Sequence, residues 1–129
     1  MEEAKNQAKE LYQSFSYALR GLKYAISMER NFQTEIVIAV FVIALILIFK
    51  VKNWEAVVLV SVIIWVLTME LFNTVVERVA DILKPRVHPY IRLIKDMMAA
   101  VVLISVVFAI AIGIIIFYPY FKDLASPIY

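Results

Sequence analysis

The sequence predicts an all-α integral membrane protein, in which three membrane-spanning helices follow an amphipathic helix that lies on the membrane surface. Three observations carry that prediction. Hydrophobic residues make up 64% of the 129 residues, with a mean hydropathy of +0.84, well above the ~45–50% apolar content of soluble domains. The apolar residues are gathered into three blocks, and the 13 basic and 11 acidic residues fall largely between them. Ahead of the first block, apolar residues recur at helical spacing instead of running continuously. At about 20 residues per crossing the chain has room for three or four spans in a single membrane domain over residues 1–129.

The surface helix is expected over residues 5–28. Leu11, Phe15, Leu19, Leu22 and Ile26 form one stripe at spacings of three and four, while Lys5, Lys9, Arg20 and Lys23 lie off it. That pattern suits a helix in the interface plane; packing on a partner protein is the alternative. The first ten residues hold three glutamates and no apolar core, so no cleaved signal peptide is expected.

The first span is placed at residues 32–51, around the uninterrupted apolar run 36–49. Fourteen residues alone are short for a crossing, but Lys50 and Lys52 extend their heads to the interface and Phe32 continues the apolar face. The second span, 55–78, is interrupted by Ser61 and Thr68 only until Glu70. The third, 90–118, includes most of a 25-residue stretch without charge, residues 97–121, which is long enough to cross with some tilt. Pro85 and Pro89 punctuate the second connection, and no internal repeat is evident. With alternating sides, ten basic residues fall on the face holding the N-terminus and second connection and three on the other. The N-terminus is therefore expected to be cytoplasmic.

Composition excludes several chemistries. No cysteine is present, which removes disulfides, thiolate metal sites and cysteine nucleophiles. Gly21 and Gly113 are the only glycines, too few for a glycine-rich phosphate loop. A net charge of +2 on so apolar a chain does not suggest nucleic acid.

The informative feature is a polar stripe on the second span. Glu70, Asn73, Thr74, Glu77 and Asp81 fall within an arc of about 100° along roughly 16 Å of helix. A carboxylate at membrane depth costs ~2.5–3.5 kcal/mol on insertion scales, which marks such a residue as a functional candidate. Glu29 and Glu35 stand at the start of the first span, and Lys95 and Asp96 at the mouth of the third. Hard oxygen ligands beside a lysine at a cytoplasmic membrane edge suit Mg²⁺ with phosphate. His88, the single histidine, reads from its position as a cap for the helix beginning near Pro89.

The run Glu-Leu-Phe-Asn-Thr-Val-Val-Glu-Arg-Val-Ala-Asp over residues 70–81, then His88 and Lys95-Asp96, resembles the signature of the prokaryotic diacylglycerol kinase and undecaprenol kinase family. Upstream, Ser14-Phe15-Ser16-Tyr17 with Arg20-Gly21 and Met28-Glu29-Arg30-Asn31-Phe32 fit its surface helix. The likeness covers roughly residues 10–120. It implies a homotrimer of three-span subunits with active sites shared between neighbours, which transfers the ATP γ-phosphate to the primary hydroxyl of a membrane lipid with Mg²⁺ as cofactor. By the same resemblance Glu70 is the catalytic base, Glu29 and Glu77 hold the metal, and Tyr17, Asn73, His88, Lys95 and Asp96 join them around ATP. Asn31, Phe32, Glu35 and Ala99 would meet the lipid together with Glu70. The resemblance implies a multi-pass protein of the cell membrane with a cytoplasmic active site.

The chain departs from the family pattern in three places. Val75-Val76 replaces Ala-Ile, Glu10 stands where members often carry a basic residue, and Arg86-Val87 replaces an acidic and aromatic pair before the histidine. The last feature and the 29–32 run look more like the Gram-positive branch, which places undecaprenol ahead of diacylglycerol as acceptor. A small proton- or cation-coupled transporter is the alternative from another class, since one intramembrane glutamate in a helical bundle also serves that purpose.

Overall fold

The computed structural model describes residues 1–83 and 89–126. Within them the chain is wholly helical: α1 (Glu2–Met28), α2 (Arg30–Phe49), α3 (Asn53–Leu83) and α4 (Tyr90–Ala125). The last three are long and apolar enough to cross a membrane, so this is a multi-pass membrane protein.

The corner between α1 and α2 is one residue wide. Glu29 has extended backbone (φ −100°, ψ 108°); its N–H donates to the Ala25 carbonyl at 3.0 Å, and its own carbonyl accepts from Gln33 N–H at 3.0 Å. Gln33 then reaches back, donating from Nε2 to the carbonyls of Ile26 (3.0 Å) and Ser27 (3.2 Å). Those are carbonyls a helix end otherwise leaves unsatisfied. The Glu29 side chain makes no capping bond and is free for other work. On α1 the stripe from Leu11 to Ile26 is exposed, and Ala25 alone is buried. Its apolar face is therefore not used for packing within the chain, as an interfacial helix requires.

At the other end of α2, Lys50 takes the left-handed conformation (φ 47°, ψ 50°), and Val51 N–H bonds the Ile46 carbonyl at 3.3 Å, the arrangement that closes a helix when the chain must reverse. Glu55, in the first turn of α3, accepts a hydrogen bond from Lys52 N–H at 3.1 Å, half of a capping box. Tyr120 donates to the same Glu55 oxygen. It can do so because α4 continues through Pro119 to Ala125, beyond residue 118 where the sequence sets the end of the span. Around this knot Phe49 meets Phe121 edge-on at 4.9 Å and Tyr120 at 6.0 Å, over the buried core of Val51, Leu59, Ile116 and Phe117. Tyr120→Phe removes one donor to a buried carboxylate. It is expected to lower stability by about 1 kcal/mol, read from reversible SDS unfolding in mixed micelles.

Midway along the bundle Trp65 Nε1 donates to Ser105 Oγ at 3.2 Å, joining α3 to α4. In hydrocarbon, helix association relies on packing and on a few such polar links, because burial of apolar surface gives no net gain against lipid. Large apolar side chains such as Phe41, Leu47, Ile64 and Ile115 accordingly face outward. Besides Glu55, the α3 polar groups Glu70, Asn73 and Thr74 are buried, towards the opposite end of the helix.

Candidate active site

At ~1.5 Å per residue α3 is about 46 Å long, more than a bilayer's ~30 Å hydrocarbon core. With Trp54 and Glu55 at one interface, Glu70 comes near the other. Glu70 (3% exposed), Asn73 (6%) and Thr74 (7%) are buried, Glu77 is half-buried and Asp81 is exposed. The stripe thus runs from protein interior to solvent along a single helix face.

Glu70 is the hub. The side-chain amides of Asn31 and Asn73 lie beside it, and the carboxylates of Glu77, Glu29 and Glu35 lie within electrostatic range of it. These acidic side chains come from the α1–α2 corner (Glu29), from α2 (Glu35) and from α3 (Glu77). Like charges at such range repel unless a cation or a proton intervenes. Two buried acceptors, Glu35 Oε2 and Asn73 Oδ1, have no hydrogen-bond partner among the described residues. An unpaired buried acceptor typically costs ~1–3 kcal/mol. Among the described residues no three acidic side chains come close enough together to hold a metal ion by themselves.

Glu35 also heads an apolar cavity of about 620 Å³ between α2, α3 and α4, lined by Ile38, Ala39, Val42, Leu59, Ile63 and Gly113 among others. That volume lies in the range of sites for small organic ligands. Its one acidic group is at the end nearest Glu70, and the rest suits hydrocarbon.

The remaining residues singled out in the sequence fall in several places. Glu29 sits at the corner, and its carboxylate is held by Arg78 of α3. Lys95 pairs with Asp81 at 3.2 Å. Asn31 reaches Glu70, but neighbouring Phe32 is buried in the corner. Ala99 and Asp96 are exposed on α4. Tyr17 is exposed on α1, with the Arg20 guanidinium 5.5 Å from its ring centre. His88 lies outside the described residues. Sequence reasoning missed Arg78, which it counted only as a basic residue of the second connection, and Gln33, whose role as a cap depends on the tightness of the corner.

Acidic side chains thus lie at one end of a membrane bundle, beside an apolar cavity. The class of enzyme is a phosphotransferase with an alcohol acceptor. Residues 16–117 match the family model described as prokaryotic diacylglycerol kinase, and the chain belongs to that family. It is 29% identical over 115 residues to an undecaprenol kinase of Bacillus subtilis, covering 89% of this chain and 94% of that protein. It is 31% identical over 107 residues to a diacylglycerol kinase of Synechocystis sp., covering 82% of this chain and 61% of that protein.

Proposed function

We propose that the protein transfers the γ-phosphate of ATP to the primary hydroxyl of a membrane lipid, with undecaprenol ahead of diacylglycerol as acceptor. The observation that carries this reading is the juxtaposition of the Glu29, Glu70 and Glu77 cluster with the cavity headed by Glu35. Phosphoryl transfer needs little covalent chemistry from the protein; it needs positioning, charge compensation and a group to take the hydroxyl proton. Glu70 takes that proton as the lipid oxygen bonds to the γ-phosphorus; the bond to the β-phosphate oxygen breaks, ADP leaves, and the proton passes on to water. Asn31 and Asn73 orient the Glu70 carboxylate. The lipid tail lies in apolar surroundings throughout, so the acceptor need not leave the bilayer.

Mg²⁺ fits the donor set. Glu29 and Glu77 would hold it, with the unbonded Asn73 Oδ1 as a further oxygen ligand, and one or two carboxylates beside substrate phosphates is the usual coordination for this ion. The metal would supply compensation for the phosphate charge. Lys95 would serve the phosphates as well, with Tyr17, His88 and Asp96 around the nucleotide. Phe32, Glu35 and Ala99 would lie along the lipid. The reading includes a homotrimer with shared sites, a cell-membrane location, and a cytoplasmic N-terminus and active site, which the ten-to-three distribution of basic residues supports.

The experiment is a side-by-side assay of purified protein in mixed micelles with Mg·ATP and either undecaprenol or diacylglycerol. We expect both to be phosphorylated and undecaprenol to give the higher kcat/KM. Folded protein that turns over neither lipid would overturn the reading, and a reversed preference would overturn the choice of acceptor.

A further inference from the structure

Arg78 leaves the α3 stripe by one position, being next in sequence to Glu77, and crosses to α1 and α2. Its guanidinium donates to the Glu29 carboxylate, lies 6.0 Å from the Tyr24 ring centre and is within electrostatic reach of Asp81. Asp81 in turn pairs with Lys95. Glu29, Arg78, Asp81 and Lys95 therefore form a row of alternating charge that starts at the α1–α2 corner, crosses α3 and ends on α4. The two ends of the Arg78–Glu29 bond are held very differently. Glu29 is fixed by backbone bonds on both sides of the corner and its side chain is only 16% exposed, whereas that of Arg78 is 55% exposed. Arginine carries five donors in a rigid fork that matches phosphate as well as carboxylate. The bond to Glu29 uses part of that fork and leaves the rest facing water.

We propose that Arg78 is a nucleotide-binding residue with two stations, a step that rests on the kinase reading above. With no nucleotide bound, Arg78 stands in for the metal ion at Glu29 and relieves the repulsion among Glu29, Glu70 and Glu77. When a metal-bound nucleoside polyphosphate enters, Arg78 turns outward to the phosphates beside Lys95, and Glu29, so released, would hold the divalent cation with Glu77. The exchange balances: two internal ion pairs, Arg78–Glu29 and Lys95–Asp81, are given up for pairs with metal and phosphate. One arginine thus compensates the carboxylates when the site is empty and offers positive charge when a polyanion arrives.

The test uses the full chain in mixed micelles as wild type, Arg78→Gln and Arg78→Lys. Mn²⁺ alone, followed by EPR as a spin-active substitute for Mg²⁺, is expected to bind Arg78→Gln about fivefold tighter than wild type, because the competing cation is gone. ADP without metal, measured by equilibrium dialysis, is expected to bind Arg78→Gln about tenfold weaker, the loss of one charge-assisted contact. Arg78→Lys should fall between in both. A salt bridge with no part in the site leaves both constants unchanged, and a plain strut between α1 and α3 weakens both; either result overturns the inference. Folded wild type that binds no nucleotide removes the kinase reading and this step with it. Normal binding by wild type with unaltered variants removes this step alone.

Discussion

Glu70→Gln is expected to lower kcat for lipid phosphorylation by about 10³-fold or more, within the range a positioned general base supplies or somewhat above it, while the Kd for Mg·ADP changes by no more than about twofold. The substitution is isosteric and keeps one oxygen to accept from Asn31 or Asn73, so the buried site should stay packed. What disappears is the acceptor for the hydroxyl proton. It also removes one of the negative charges facing Glu29, Glu35 and Glu77, so binding of a polyanion should tighten slightly, if it moves at all. The measurement pairs steady-state kinetics in mixed micelles with equilibrium dialysis of ADP. Near-normal kcat would remove Glu70 as the base. Lost nucleotide affinity with normal kcat at saturation would move Glu70 into the nucleotide site.

The same residues show what was legible in the sequence. The three spans and the surface helix follow from composition and spacing, because in a bilayer every backbone group must be bonded within its own helix and long apolar runs have one solution. Glu70, Asn73 and Thr74 were legible too, since helical periodicity alone puts them on one face and their polarity stands out against hydrocarbon. Contacts between helices were not. Arg78 and Glu29 are 49 positions apart, and Tyr120 and Glu55 are 65 apart. Nothing local distinguishes Arg78 from other basic residues of a helix end, and Glu55 looks like an ordinary interfacial charge until α4 is seen to continue through Pro119. The short path from Glu29 to Glu70 could be inferred only from family likeness, because it depends on how sharply α1 meets α2. One extended residue decides that angle.

The bilayer also explains how so small a chain holds such a site. A kinase in water must build lobes and loops to exclude solvent from the transferred phosphate. Here the membrane supplies the apolar wall and the acceptor together, and the protein adds a row of acids along one helix end. The cost is electrostatic, since clustered carboxylates near hydrocarbon need counter-charges at every stage. Arg78 and Lys95 meet that need within the chain, and metal and nucleotide meet it in the proposed reaction cycle.

The pair Glu29 and Glu77 gives the second large effect. Glu29→Gln and Glu77→Gln are each expected to reduce kcat/KM for ATP by about 10²-fold, as expected for loss of one hard ligand from a two-carboxylate site. The double variant should be little worse than either single one, because a metal that has lost one ligand no longer benefits from the other, and groups acting as a unit are strongly non-additive. Raising Mg²⁺ should recover part of the single-variant loss, since weakened affinity is offset by concentration, and should recover nothing in the double variant. The two single variants should differ in one respect. Glu29→Gln also frees Arg78 from its only ion-pair partner among the described residues, so its ADP affinity measured without metal should rise clearly, whereas Glu77→Gln leaves the Arg78 bond intact and should show only the slight rise that loss of one negative charge gives. Additive losses with equal metal dependence would mean that the two carboxylates act separately, and that the convergence around Glu70 serves charge balance alone.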